Sequence, residues 1–215
     1  MILVTLAALE TLNVMTQTRI RGEIELSFEK VRSFIAVDVA DGVILERITD
    51  CQTELTRTGA DLKPVESENI HATLRFLGEV QVPLLDQVKS ELAQVSFQSF
   101  LVELRGVGAF PNPRRPNVVW IGITKGGEEL QGIFSRLEPR LRGLGFAADR
   151  KGFSPHITIG RVKSGRNREA LYSGIMGMSD VEFGSMTVES IRLKKSTLTP
   201  KGPIYSTIYE QKARS

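Results

Sequence analysis

The chain has 215 residues, 41% hydrophobic and 25% charged, which excludes wholesale disorder and suits one large domain or two small lobes sharing an interface. Its formal charge of +3, with a pI of about 9.1, tolerates a polyanionic substrate without requiring one. A single cysteine, Cys51, excludes an internal disulfide and a multi-cysteine metal cluster, and fits a reducing cytoplasm.

Residues 1–15, MILVTLAALETLNVM, are apolar enough to raise a signal peptide, but Glu10 interrupts the run and no basic residue precedes it. No later segment reaches the roughly 20 apolar residues of a membrane helix, so no membrane partner is expected. Residues 1–30 read as an N-terminal extension, the competing reading being a short helix or strand packed on the body. "SFIAVDV", residues 33–39, is the first core strand by its apolar run. "NIHATLRFLGEV" around His71 supplies a second strand. Leu84, Leu85, Val88, Leu92 and Val95 then line one face of a helix, and "SFLVELRGVGAF", residues 99–110, closes the first unit as a strand.

The second half repeats the first. His71 and His156 lie 85 positions apart, each opening a His-x-Thr-aliphatic pattern. The same offset sets "SFIAVDV" against "VVWIGIT", residues 118–124, without a gap, and sets Leu45 and Ile48 on Leu130 and Ile133. Leu130, Ile133, Phe134, Leu137, Leu141 and Leu144 recur at helical steps, and Gly143 and Gly145 end that helix. A counterpart helix around 166–177 is less regular. "SMTVESIRL", residues 185–193, reads as one closing strand, and "PIYSTIYE", residues 203–210, as a final one. Two such units predict an α+β protein, a bilobed pseudo-twofold duplication. Each lobe is a mostly antiparallel sheet with helices on the outer face, and a central cleft lies between the lobes.

Side chains alternate on a strand, so His71 faces with Thr73 and His156 with Thr158. A histidine near pKa 6.5 holds or releases a proton at neutral pH, and a threonine hydroxyl donates to a phosphate oxygen. Two such pairs side by side suit in-line displacement at phosphorus, one imidazole activating water and one imidazolium protonating the departing oxygen. A lone His-x-Thr is usually structural. Two copies, containing the only histidines of the chain and placed equivalently in a repeat, favour catalysis, and no HxH or HExxH spacing supplies a metal site. No cofactor is expected.

Basic and aromatic neighbours come next. In a regular strand Arg75 shares the face of His71 and Thr73, whereas Arg161 needs a bend near Gly160 to reach the cleft. Either cation would neutralise phosphate charge, against the plain alternative of a solvated surface arginine. Phe110, with Arg114 and Arg115 in the loop "FPNPRRPN", is a candidate to stack on a base, against the alternative of a core plug. Trp120 reads as core.

"RSFIAVDV", "NIHATLRFLGEV", "GVGAFPNPRRPNVVWIGI", "FSPHITIGR" and "STLTPKGPIY" together resemble the 2H phosphoesterase superfamily, most closely its RNA 2',3'-cyclic phosphodiesterase branch, also called the 2'-5' RNA ligase family. The resemblance spans about residues 31–210, read as a single domain with lobes built mainly from 31–117 and 118–210, open to strand exchange, and 211–215 as a tail. It implies hydrolysis of RNA 2',3'-cyclic phosphate ends to 2'-phosphates, with His71 and His156 catalytic and Thr73 and Thr158 binding phosphate. It raises the standing of Arg161 and not that of Arg75. It assigns His71 as acid for the departing 3'-oxygen and His156 as base, an assignment open to reversal. With a 5'-hydroxyl in place of water, the reverse reaction joins RNA through a 2'-5' bond. Because related proteins start near "RSFIAVDV", the resemblance also implies Val31 as an initiator encoded by a valine codon. The expected partner is an RNA or oligonucleotide with a 2',3'-cyclic phosphate end, and the expected state is a monomer. Competing readings are the same chemistry on 2',5'-oligonucleotides or an ADP-ribose cyclic phosphate, a non-catalytic RNA-binding module, and a metal-dependent phosphodiesterase.

Overall fold

The structure, a computed structural model, describes residues 29–149, 152–200 and 202–214. The expectation of an N-terminal extension over residues 1–30 thus lies outside the described residues, apart from residues 29 and 30. Among those described, no helix is long and apolar enough to cross a membrane.

Among the described residues, nine strands form one antiparallel sheet: β1 (Lys30–Asp38), β2 (Leu62–Pro64), β3 (His71–Gln81), β4 (Phe100–Phe110), β5 (Val118–Lys125), β6 (His156–Val162), β7 (Glu182–Val188), β8 (Ser190–Thr199) and β9 (Gly202–Lys212). Their order is β7-β4-β5-β6-β3-β1-β8-β9, with β2 paired to β6. Four α-helices of the described residues, α1 (Gly42–Arg57), α2 (Val82–Ala93), α3 (Gly127–Gly143) and α4 (Arg168–Gly177), lie in the connections between them. The repeat is visible in these bounds, since β1–α1–β3–α2 and β5–α3–β6–α4 follow one another at the same spacing. Helix α1 starts where the Asp41 side chain accepts the Ile44 amide, and it buries Ile44, Ile48, Cys51 and Leu55. Its counterpart α3 buries Leu130, Ile133, Leu137 and Leu141 at the predicted spacing.

Strand pairing crosses the midpoint of the repeat. β4 pairs with β5 of the second half, Ala109 opposite Val119, and β8 pairs reciprocally with β1 of the first, Leu193 opposite Ile35. The lobes are therefore β1, β3, β8 and β9 on one side and β4, β5, β6 and β7 on the other. The single closing strand expected at 185–193 is corrected: it is two strands, broken at Glu189. Val188 still pairs with Phe100 in one lobe while Ser190 already pairs with Lys212 in the other, so the chain changes lobes across one residue.

The lobes join at the rung between Ala72 of β3 and Ile157 of β6. Both side chains are buried on the helix-covered face, with 2% and 0% exposure, in the same apolar cluster as Ile35, Val119 and Ile133. Alternation then turns residues 71, 73, 156 and 158 to the other face, around one point.

Candidate active site

Antiparallel pairing about the Ala72–Ile157 rung sets His71 beside Thr158 and Thr73 beside His156. The two histidines are held alike. Nδ1 of His71 is 2.7 Å from the carbonyl oxygen of Asn69, and Nδ1 of His156 is 2.7 Å from that of Ser154. A carbonyl oxygen only accepts, so both Nδ1 atoms donate, and the exchangeable proton belongs to Nε2 of each ring. Nε2 of His71 lies 2.9 Å from the Thr73 hydroxyl.

The strands beyond the motif are not regular, and this decides which cations reach the site. In β3 the pairing with β1 passes from Ile35–Arg75 to Ala36–Thr73, leaving Leu74 as a bulge. In β6 the pairing with β5 passes from Val119–Gly160 to Trp120–Thr158, leaving Ile159 as one. Leu74 and Ile159 are equivalent positions of the repeat. Each bulge shifts the alternation by one residue. Arg161 is thereby exposed on the histidine side, where its charge acts on His71 and Tyr205. Arg75 is turned away, which corrects the expectation that it faces with His71: its Nε donates to Glu138 of α3 at 2.8 Å, with a further bond to the carbonyl of Ala147.

Aromatic rings wall both histidines. Phe110 meets His156 edge-on at 5.0 Å and lies 5.3 Å from Trp120, which is itself 6.4 Å from His156. Trp120 is thus a half-buried wall of the site and not the core residue expected, because its indole lies flat on β4, where a side chain at Gly108 would meet it at 2.3 Å. Phe34 and Tyr205 do the same for His71, at 4.9 and 5.4 Å. The buried side chain of Asn69 donates to the Pro203 carbonyl at 3.0 Å, so one residue orients His71 through its backbone and anchors the strand carrying Tyr205.

This paired geometry has known counterparts. A family model described as LigT-like phosphoesterase matches the chain twice, over residues 39–120 and 121–205. The chain belongs to the LigT-like phosphoesterase family. A relative from Aeropyrum pernix named RNA 2',3'-cyclic phosphodiesterase is 47% identical, over 79% of this chain and 96% of its own. One of the same name from Archaeoglobus fulgidus is 44% identical, over 83% and 98%. A solved Thermus thermophilus protein, 29% identical, superposes with a TM-score of 0.69 over 84% of this chain and 97% of its own.

On this phosphoesterase scaffold the electrostatics are uneven. Burial pushes His71 below its ordinary pKa. The bond to Asn69 opposes this, the charge of Lys194 reinforces it, Asp38 opposes it and Arg161 reinforces it. Burial also pushes His156 down, against its bond to Ser154. Behind His71, the buried Lys194 ammonium contacts both Asp38 oxygens at 2.6 and 2.7 Å, and Arg192 joins them at 2.8 Å while pairing Glu210. Burial works to raise Asp38, and the Lys194 and Arg192 bonds outweigh it, holding the carboxyl below its ordinary value. Asp38, Lys194, Phe34, Tyr205 and Asn69 escaped the sequence reading, although a carboxylate within the apolar run "SFIAVDV" was a signal. Cys51 is no candidate nucleophile, being buried with its thiol pushed up to about 12. Among the described residues, no three His, Cys, Asp or Glu side chains converge as metal ligands.

Replacing Asp38 by Asn leaves a buried ammonium uncompensated, so urea unfolding is expected to register a loss of about 3–5 kcal/mol. His71, deprived of a group that favours its protonation, should titrate lower still by NMR. A loss under about 1 kcal/mol with an unmoved His71 would mean that Asp38 does not balance Lys194.

Proposed function

We propose that this enzyme hydrolyses RNA 2',3'-cyclic phosphate ends to 2'-phosphates by acid/base catalysis between His71 and His156, without a metal. The observation that carries this reading is the matched pair of imidazoles, each held at Nδ1 by a backbone carbonyl so that Nε2 is its titrating nitrogen, on two strands whose rung at Ala72 and Ile157 sets them beside Thr158 and Thr73. The names of the Aeropyrum and Archaeoglobus relatives support the substrate.

In this scheme Thr73, Thr158 and Arg161 bind the non-bridging phosphate oxygens, and Arg161 balances their charge. Neutral His156 takes a proton from water as its oxygen bonds to phosphorus. The bond from phosphorus to the 3'-oxygen breaks, and His71, as imidazolium, protonates that oxygen. Lys194 and Arg161 disfavour this imidazolium in the free enzyme, and the bound phosphodiester anion offsets them. A 5'-hydroxyl in place of water gives the reverse step, a 2'-5' ligation. Phe110, turned edge-on to His156 and leaning on Trp120, is a wall of the pocket in this scheme and not a base platform. A single cysteine fits a reducing cytoplasm, and we propose that the enzyme works there, as a monomer.

The test is turnover of a 2',3'-cyclic-phosphate-ended RNA in excess chelator. The expected product is a 2'-phosphate, with His71→Ala and His156→Ala each lowering kcat by about 10²–10⁴-fold. A substrate with sulfur at the bridging 3'-position, whose leaving group needs no proton, should rescue the His71 variant alone. No turnover, or loss of turnover with chelator, would overturn the proposal, and a 3'-phosphate product would overturn the leaving-group assignment.

The pH profile follows from the histidines. The active form carries one proton on the pair, and both rings are pushed below 6.5. The kcat/KM profile, which reports the free enzyme, should therefore be bell-shaped with its maximum below pH 6.5, falling on the alkaline side as the imidazolium is lost. A maximum above about pH 7.5 would contradict the assignment.

A further inference from the structure

The carbonyls that orient the two histidines are fastened differently. Asn69, which accepts from His71, is buried and tied to Pro203, whereas Ser154, its equivalent before His156, is exposed. The chain leading to Ser154 is pinned along α3 instead. Glu138 Oε1 accepts the Asp149 amide at 2.9 Å, the Phe153 ring stacks on Phe134 at 5.5 Å, and Pro155 lies over Gly127, where an added Cβ would come within 3.5 Å of its ring. Phe134 and Glu138 stand one turn apart on one face of the helix.

Arg75, from the strand that carries His71, completes this fastening. Its Nε donates to the second Glu138 oxygen at 2.8 Å, and its two Nη groups donate to the carbonyls of Phe76 and Ala147. The two side chains are only 11% and 16% exposed. The first half holds the reverse arrangement. Gln52 of α1, 6% exposed, donates at 2.8 Å to the carbonyl of Val65, in the segment leading to His71, and at 2.8 Å to that of Ile159, the bulge residue of β6. Arg75 directly follows the bulge residue of β3. Each tie therefore grips a motif strand at its bulge. The residues are not copies, since the repeat sets Leu137 against Gln52 and Gly160 against Arg75.

We propose that the Arg75–Glu138 pair and Gln52 are positioning residues that act crosswise, each fastening the loop that orients one histidine to the strand that carries the other. This rests on the proposed reaction, in which both Nε2 atoms serve one phosphate. Neither tie touches substrate; each acts through a carbonyl. If Ser154 shifts, Nδ1 of His156 loses its acceptor and the neutral ring is free to carry its proton on Nε2, the nitrogen that has to take one from water. A displacement of about 1 Å is enough to slow the chemical step by up to about 100-fold. The bulge in β6 that turns Arg161 to the site is thus also the point where the first half grips the second.

The experiment reads both ring tautomers by long-range proton–nitrogen NMR in Gln52→Leu and in the double variant Arg75→Met with Glu138→Leu. The double variant removes the ion pair without leaving a lone buried charge, so it is expected to fold. It should give His156 a population protonated at Nε2 and leave His71 unchanged, although Arg75 lies four residues from His71 on the same strand. Gln52→Leu should do the reverse, although its bond to Ile159 lies three residues from His156. Disturbance of the nearer histidine, of both rings equally, or of neither overturns the inference. In turnover of a 2',3'-cyclic-phosphate-ended RNA, the double variant should lower kcat by about 10- to 100-fold with KM little changed. Arg75→Lys with Glu138 intact, which keeps the ion pair, should recover part of that loss, and a loss carried by KM alone counts against positioning. The crossed NMR pattern without turnover in the wild type would reject the proposed reaction and support the ties, whereas turnover with an uncrossed pattern would do the opposite.

Discussion

A carbonyl oxygen has no proton to give, and this constraint organises the site. With Nδ1 of His71 and of His156 each 2.7 Å from the carbonyl two residues earlier, both rings are committed to one tautomer and one orientation. Such bonds contribute only about 0.5–1.5 kcal/mol of net stability. Their effect on chemistry is larger, because a ring free to flip would offer the wrong nitrogen for much of the time. The surrounding structure serves to keep those carbonyls in place. Asn69 is buried and tied through its side chain to Pro203 in β9, and Phe34 and Tyr205 pack against the ring it orients.

Strand exchange explains how two lobes keep two rings in register. Because β4 crosses to β5 and β8 crosses to β1, neither half of the repeat completes a sheet alone. The helices cross as well, with α1 packed on β6 and β7 and α3 on β3 and β5. Separating the halves would break continuous sheet pairing as well as the single rung at Ala72 and Ile157. The site consequently sits on one core built from both halves.

The elements were legible because the apolar pattern repeats at a fixed offset, and both motif strands, both long helices and β5 fall where that pattern puts them. The paired histidines were legible for the same reason. What alternation cannot show is a bulge. A regular β3 sends Arg75 to the cleft, and the bulge at Leu74 sends Phe76 there and gives Arg75 to Glu138. The repeat held the remedy, since the bend that Arg161 requires in β6, applied 85 positions earlier, turns Arg75 away. Trp120 was misplaced for a related reason: in an apolar run such as "VVWIGIT" hydrophobicity does not tell the core face from a lined cleft. The break at Glu189 was invisible because each side of it continues an apolar alternation, one for each lobe. The Asp38–Lys194 pair joins β1 to β8 through strand exchange, a contact that no local pattern encodes.

With only two histidines in the chain, long-range proton–nitrogen NMR reports both rings without ambiguity. Above the titration range, both should show a protonated Nδ1 and a bare Nε2, and added inorganic phosphate should perturb both Nε2 resonances together. A protonated Nε2 in either neutral ring, or a phosphate response confined to one histidine, would contradict the claim that the two present the same nitrogen to one phosphate.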